Sequence, residues 1–136
     1  MKFFPFLSTA QWLNVLRIAI SLFMVAHGVI RIYAGTVGGF GGFLESKGFP
    51  FGGSIAWGIT GFEIVGGITL ALGFFRPWIA AVFILQLLMG IVLVHAANGW
   101  FVVGYTSGGV EYSVLLILCF LLVASTGRKE KTTASN

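Results

Sequence analysis

Only 9% of this 136-residue chain is charged, and just four residues are Asp or Glu. A soluble domain of this length keeps a charged and polar rind over its core. Too few charges exist here to make one, so lipid must serve as the outer solvent. Cysteine is almost missing: Cys119 stands alone. An internal disulfide, a CxxC redox pair and a cysteine-based zinc site are therefore excluded. No two-residue alternation of apolar and polar positions marks a strand, and no Ser/His/Asp grouping is present. The Gly-x-Gly spacings near residue 40 follow no strand, so they do not make a phosphate-cradling loop.

Apolar residues fill the space that charge leaves. They make up 57% of the chain, fourteen of them Phe, and mean hydropathy is +0.99. Four runs, at roughly 11–34, 54–74, 77–97 and 109–126, are each long enough for a helix of about 20 residues. The pattern predicts an all-α integral membrane protein, one domain over residues 1–136. Arg17 interrupts the first run and no small-residue cleavage site follows it, so that run reads as a retained span rather than a signal peptide. Lys2, Arg76, Arg128, Lys129 and Lys131 fall on one side of a four-span bundle and Lys47 on the other, which places both termini and the tail 127–136 in the cytoplasm. The net charge of +4 thus has a topological origin. The tail has no interleaved aromatics, so it suits anionic headgroups and not nucleic acid.

The first outer loop, residues 34–53, is apolar and rich in glycine. Phe40, Phe43 and Leu44 sit at helical spacing, with Glu45 and Lys47 on the other side. A short interfacial or re-entrant helix ended by Gly48 and Pro50 is expected. Small residues on the second span (Ser54, Gly58, Gly61, Gly66, Gly67, Ala71) predict close helix contacts.

Six ionisable residues lie in or at the edges of the spans: Arg17, His27, Arg31, Glu63, His95 and Glu111. Such groups are expensive in hydrocarbon and normally face a neighbour or a wet cavity. At about 1.5 Å per residue, His27, Glu111 and His95 fall at roughly 24, 22 and 27 Å from the cytoplasmic end, with Glu63 near roughly 16 Å and Arg17 near roughly 9 Å. On the first span Arg17, Met24, Gly28 and Arg31 form one stripe with His27 beside it. On the second, Glu63 shares its face with Ala56, Gly67 and Leu70. Each has a plainer alternative: Arg17 and Arg31 can snorkel to headgroups, and Glu111 can simply begin a helix. Glu63, near mid-bilayer, has to be protonated or to pair with a cation such as Arg17 or Arg31.

Two His and a carboxylate can ligate a metal, though no short HxxxH or ExxH spacing supports it, and two His on different helices can hold haem. A quinone suits the residues better. Its ring needs an apolar slot, for which Trp57, Trp100 and Phe101 can be walls, a donor to a carbonyl, and a group to manage the proton.

Four blocks of residues resemble the DoxX family of small membrane proteins. The first has Arg17, then Gly28-x-x-Arg31 where the family usually shows Gly-x-x-Lys. The second has Gly48 and Pro50, then Glu63 with Gly66, Gly67, Gly73 and Arg76. Met89, His95, Gly99 and Phe101 make the third, and Glu111-Tyr112 opens the fourth. The resemblance implies a four-helix membrane protein grouped with the small subunit of a thiosulfate:quinone oxidoreductase, and a quinone-linked or otherwise redox-associated role with partner proteins. Residues and resemblance together predict a quinone-interacting redox subunit of the cell inner membrane. His95 and Glu111 would handle protons; Arg17, His27, Arg31, Glu63, Trp57, Trp100 and Phe101 would line the ligand site. The partners would be membrane lipid and either a redox protein or further copies of the chain. The alternatives are a non-catalytic scaffold of a redox complex and a small proton-coupled carrier.

Overall fold

The computed structural model describes residues 5–105 and 107–133, with side chains through Gly127. Lys2 and residues 134–136 of the expected tail lie outside the described residues, as do the side chains of Arg128, Lys129 and Lys131. Every regular element among the described residues is helical: α1 (Thr9–Tyr33), α2 (Val37–Ser46), α3 (Gly52–Ala71), α4 (Arg76–Gly90) and α5 (Glu111–Thr133). One π turn, Ile91–His95, and one 3₁₀ turn, Ala96–Asn98, extend α4. The chain divides into two compact units, Ser21–Phe74 and Met1–Ile20 with Phe75–Asn136. The division falls within α1.

Among the described residues, three helices are long and apolar enough to cross a membrane: Thr9–Tyr33, Gly52–Ala71 and Arg76–Asn98. The apolar part of α5, Glu111–Gly127, is shorter. Large apolar side chains stand exposed along all of them, among them Leu22 and Ile30, Val65 and Ile68, Val82 and Leu85, Leu118 and Leu121. Surfaces of this kind are covered by lipid or by other proteins.

Local chemistry sets the helix ends. Ser8 and Gln11 form a reciprocal capping box at the start of α1: the Ser8 N–H donates to Gln11 Oε1 at 2.9 Å and the Gln11 N–H to Ser8 Oγ at 3.3 Å. This satisfies two of the amide groups a helix leaves open at its N-terminus. A short helix, α2, forms within the 34–53 stretch and ends before Gly48, whose φ of +90° suits a residue without a Cβ. Pro77 in the first turn of α4 needs no hydrogen-bond acceptor there.

In the Ser21–Phe74 unit, α1 and α3 run antiparallel and approach through glycine. A Cβ on Gly28 would stand 2.9 Å from the Thr60 carbonyl oxygen and 2.8 Å from Ile64 Cγ1. One on Gly67 would stand 2.9 Å from the Ser21 carbonyl oxygen. The packed helix α2 meets α3 at Gly41, whose absent side chain leaves room for the Gly52–Gly53 backbone. The face predicted for α3 is the buried one: Ala56, Glu63, Gly67 and Leu70, with Thr60 among them. Ser54, Gly58 and Gly61, expected at a helix contact, are instead exposed, and nothing comes within 4 Å of a Cβ built on Gly58 or Gly61. They lie on the other side of α3 from the glycines that pack.

The other unit is held by α4 against α5. Ile79, Ala80 and Phe83 meet a stripe of Ser113, Leu116, Phe120 and Val123, spaced by three and four residues as one face of a helix requires. The rings of Phe83 and Phe120 lie 5.2 Å apart. Gly127 near the end of α5 sits against Pro77 at the start of α4, so the pair is antiparallel.

Because the neighbour at Gly28 is backbone, Gly28→Ala is expected to destabilise the fold by about 1–3 kcal/mol. Gly61→Ala, in open space, should stay within about 1 kcal/mol of the wild type. Denaturation in mixed detergent micelles, followed by circular dichroism, measures both.

Candidate functional site

Arg31, in the last turn of α1, reaches across to α3. Its Nη1 donates to Glu63 Oε2 at 2.6 Å and its Nη2 to Glu63 Oε1 at 3.3 Å, a two-pronged ion pair. The Glu63 side chain is 2% exposed and that of Arg31 18%. Nη1 also donates to Thr60 Oγ1 at 3.0 Å. The Thr60 hydroxyl hydrogen goes to the Ala56 carbonyl at 2.7 Å, which leaves its oxygen a lone pair for arginine. Phe40 from α2 lies over the guanidinium, 4.7 Å from ring centroid to Cζ, a cation–π contact. So Glu63 takes Arg31 as its cation, one of the partners expected for it, and all three helices of this unit converge on the pair.

His27, one turn before Arg31, is exposed on α1. An open depression of about 410 Å³ is lined there by Ala26, His27, Val29 and Ile30. Trp57, on α3, is exposed.

In the other unit, His95 closes the π turn and Glu111 opens α5. His95 Nδ1 lies 2.7 Å from the Gly108 carbonyl oxygen. A carbonyl only accepts, so Nδ1 carries the hydrogen, and in the neutral ring Nε2 holds the lone pair. Asn98 Nδ2 donates to the same oxygen at 3.4 Å. Glu111 Oε1 accepts the Val102 N–H at 2.9 Å, while the Glu111 N–H donates to the Trp100 carbonyl. The two residues thus brace the 99–110 loop. Gly109 lets that loop close: a Cβ there would stand 2.5 Å from the carbonyl oxygens of Trp100 and Phe101. Trp100 and Phe101 are exposed on the loop, and Phe101 meets Tyr105 edge-on. Arg17 lies half-buried on the N-terminal half of α1. No group of three His, Cys, Asp or Glu side chains among the described residues gathers as a metal site.

A family model, DoxX, matches residues 12–96, well over half of the chain. The chain belongs to the DoxX family. No curated protein and no solved structure matches it. The Arg31–Glu63 pair and His95 of this DoxX membrane protein lie inside the matched segment, and Glu111 lies beyond it.

Sequence reasoning missed Thr60, Phe40 and Gly108 as partners. Thr60 carried a signal, being three residues before Glu63 on one helix face. Phe40 and Gly108 carried none, because loop geometry brings them in.

Removing one member of a buried ion pair leaves the other uncompensated. Glu63→Ala in this DoxX protein should cost about 3–5 kcal/mol of stability. Adding Arg31→Ala should cost much less than a second, independent loss. A double-mutant cycle on thermal unfolding in detergent measures the coupling.

Proposed function

We propose that this DoxX protein is a four-span subunit of the cell inner membrane, with both termini cytoplasmic, serving a quinone-linked redox system. The apolar part of α5 reaches roughly 25 Å at about 1.5 Å per residue, the lower end of what a span requires. The observation that carries the redox reading is the depression on α1. There an imidazole stands among Ala26, Val29 and Ile30, one turn from the Arg31–Glu63 pair. Apart from the imidazole, the lining of the depression is apolar.

A quinone, when bound, supplies a two-electron, two-proton acceptor. The residues of the chain do the rest. His27 offers an imidazole N–H to a carbonyl oxygen, and the flanking aliphatic side chains give the ring an apolar surface to lie against. Glu63 holds Arg31 at the end of α1. His95, with Nδ1 committed to Gly108, keeps Nε2 for a proton, and Glu111 keeps its second carboxylate oxygen for the same task. Trp57, Trp100, Phe101 and Arg17 complete the ligand-facing set of this reading. The two electrons come from a partner redox protein, and further copies of the chain are the alternative assembly partner.

A scaffold role has its own support. Glu63 and Arg31 balance each other's charge, and His95 and Glu111 each hold a backbone group of the loop. Groups arranged this way fix helix register without any ligand.

Decylubiquinone added to purified protein should raise Tm by a few degrees, and His27→Ala should abolish that rise without lowering the ligand-free Tm. Differential scanning fluorimetry reads both. An unchanged wild-type Tm across the titration would discard the quinone reading in favour of the scaffold.

A further inference from the structure

Arginine has five N–H donors held in one plane. Three hydrogen bonds are made by Arg31: Nη1 to Glu63, Nη1 to Thr60 and Nη2 to Glu63. Both hydrogens of Nη1 are therefore used, and the end-on edge between Nη1 and Nη2 is filled by the carboxylate. The side edge remains. There Nε–H and the second hydrogen of Nη2 point the same way, a parallel pair of donors with no acceptor among the described residues. The side chain is 18% exposed, so this edge can be reached. Phe40 lies over a face of the guanidinium, not at its edge.

We infer that the side edge of Arg31 is a binding site for the oxygen of an uncharged carbonyl compound. Two facts select that chemistry. An unmet donor pair on a side chain only 18% exposed is costly, so an acceptor is favoured there. The charge of Arg31 is already balanced by Glu63 at 2.6 Å, so a phosphate or carboxylate would bring an uncompensated negative charge into a medium that penalises it. A neutral carbonyl oxygen accepts both hydrogens and adds no charge. The ion pair thus acts as a filter: Glu63 orients the guanidinium and at the same time turns away anions. Lysine would not serve, because an ammonium has no planar edge to present beside the carboxylate. The inference deepens the quinone reading and rests on it, since a quinone headgroup is a neutral ring that bears carbonyl oxygens.

The test measures discrimination, which a merely structural role of Arg31 would not change. Full-length protein in lipid nanodiscs is titrated with decylubiquinone and with a decylbenzene of the same ring substitution that lacks the carbonyls, and tryptophan fluorescence reports binding. Wild-type protein should prefer the quinone by about tenfold or more, the worth of one good hydrogen-bonded site. In Arg31→Lys the two compounds should bind alike. Inorganic phosphate should not compete with the quinone.

Quinone binding with the preference intact in Arg31→Lys would overturn the role of Arg31 and leave the quinone reading standing. No quinone binding to the wild type would overturn both. Competition by phosphate that disappears in Arg31→Lys would overturn the selection for uncharged ligands. Should Arg31→Lys fail to fold, infrared difference spectra of carbonyl-labelled decylubiquinone on the wild type decide. A carbonyl band lowered from its position in lipid supports the site, and an unmoved band overturns it.

Discussion

A carboxylate cannot stay ionised in an apolar interior without a cation beside it, and the Ser21–Phe74 unit is arranged around that constraint. Glu63 sits at the centre of α3 and Arg31 at the end of α1, so their pairing sets how far the two helices can slide past each other. Gly28 supplies the closeness the pair demands, because any side chain there would press on the Thr60 carbonyl. Thr60 turns its hydroxyl hydrogen back to its own helix and so becomes an acceptor for arginine. Phe40 brings in α2, which in turn leans on α3 through Gly41. Each contact makes sense as a way of holding one guanidinium in one plane.

The other unit meets the same demand differently. His95 and Glu111 find backbone groups, and the connection they grip is one that glycine alone permits at Gly109. A loop between two apolar helices has amides and carbonyls of its own to satisfy. Using one imidazole and one carboxylate for the purpose leaves each with a further nitrogen or oxygen uncommitted. Bracing and proton handling are therefore compatible tasks for these two residues.

Much of this was legible in the residues. The apolar runs announced the helices because length and hydropathy leave few other options, and the ends differ by only a few residues from α1, α3 and the Arg76–Asn98 stretch. The buried face of α3 followed from helical period applied to Ala56, Glu63, Gly67 and Leu70. The same reasoning overcounted glycine. Gly58 and Gly61 fit a packing pattern, yet spacing does not say which of two small faces a neighbour will use. The choice of Arg31 for Glu63 was open because height along a helix does not give azimuth across the gap. His95 was recognised, but its carbonyl partner lies in a loop whose path has no period to read.

The π turn at Ile91–His95 has one more implication. Wider winding delays the rotation of the chain, so the imidazole at its end departs from the azimuth that the Ile79–Phe83 stripe would have assigned it. Packing of the long helix and aiming of its last ring are thereby uncoupled. A lineage can redirect the ring by gaining or losing a single residue here while the interface nearer Pro77 keeps its register.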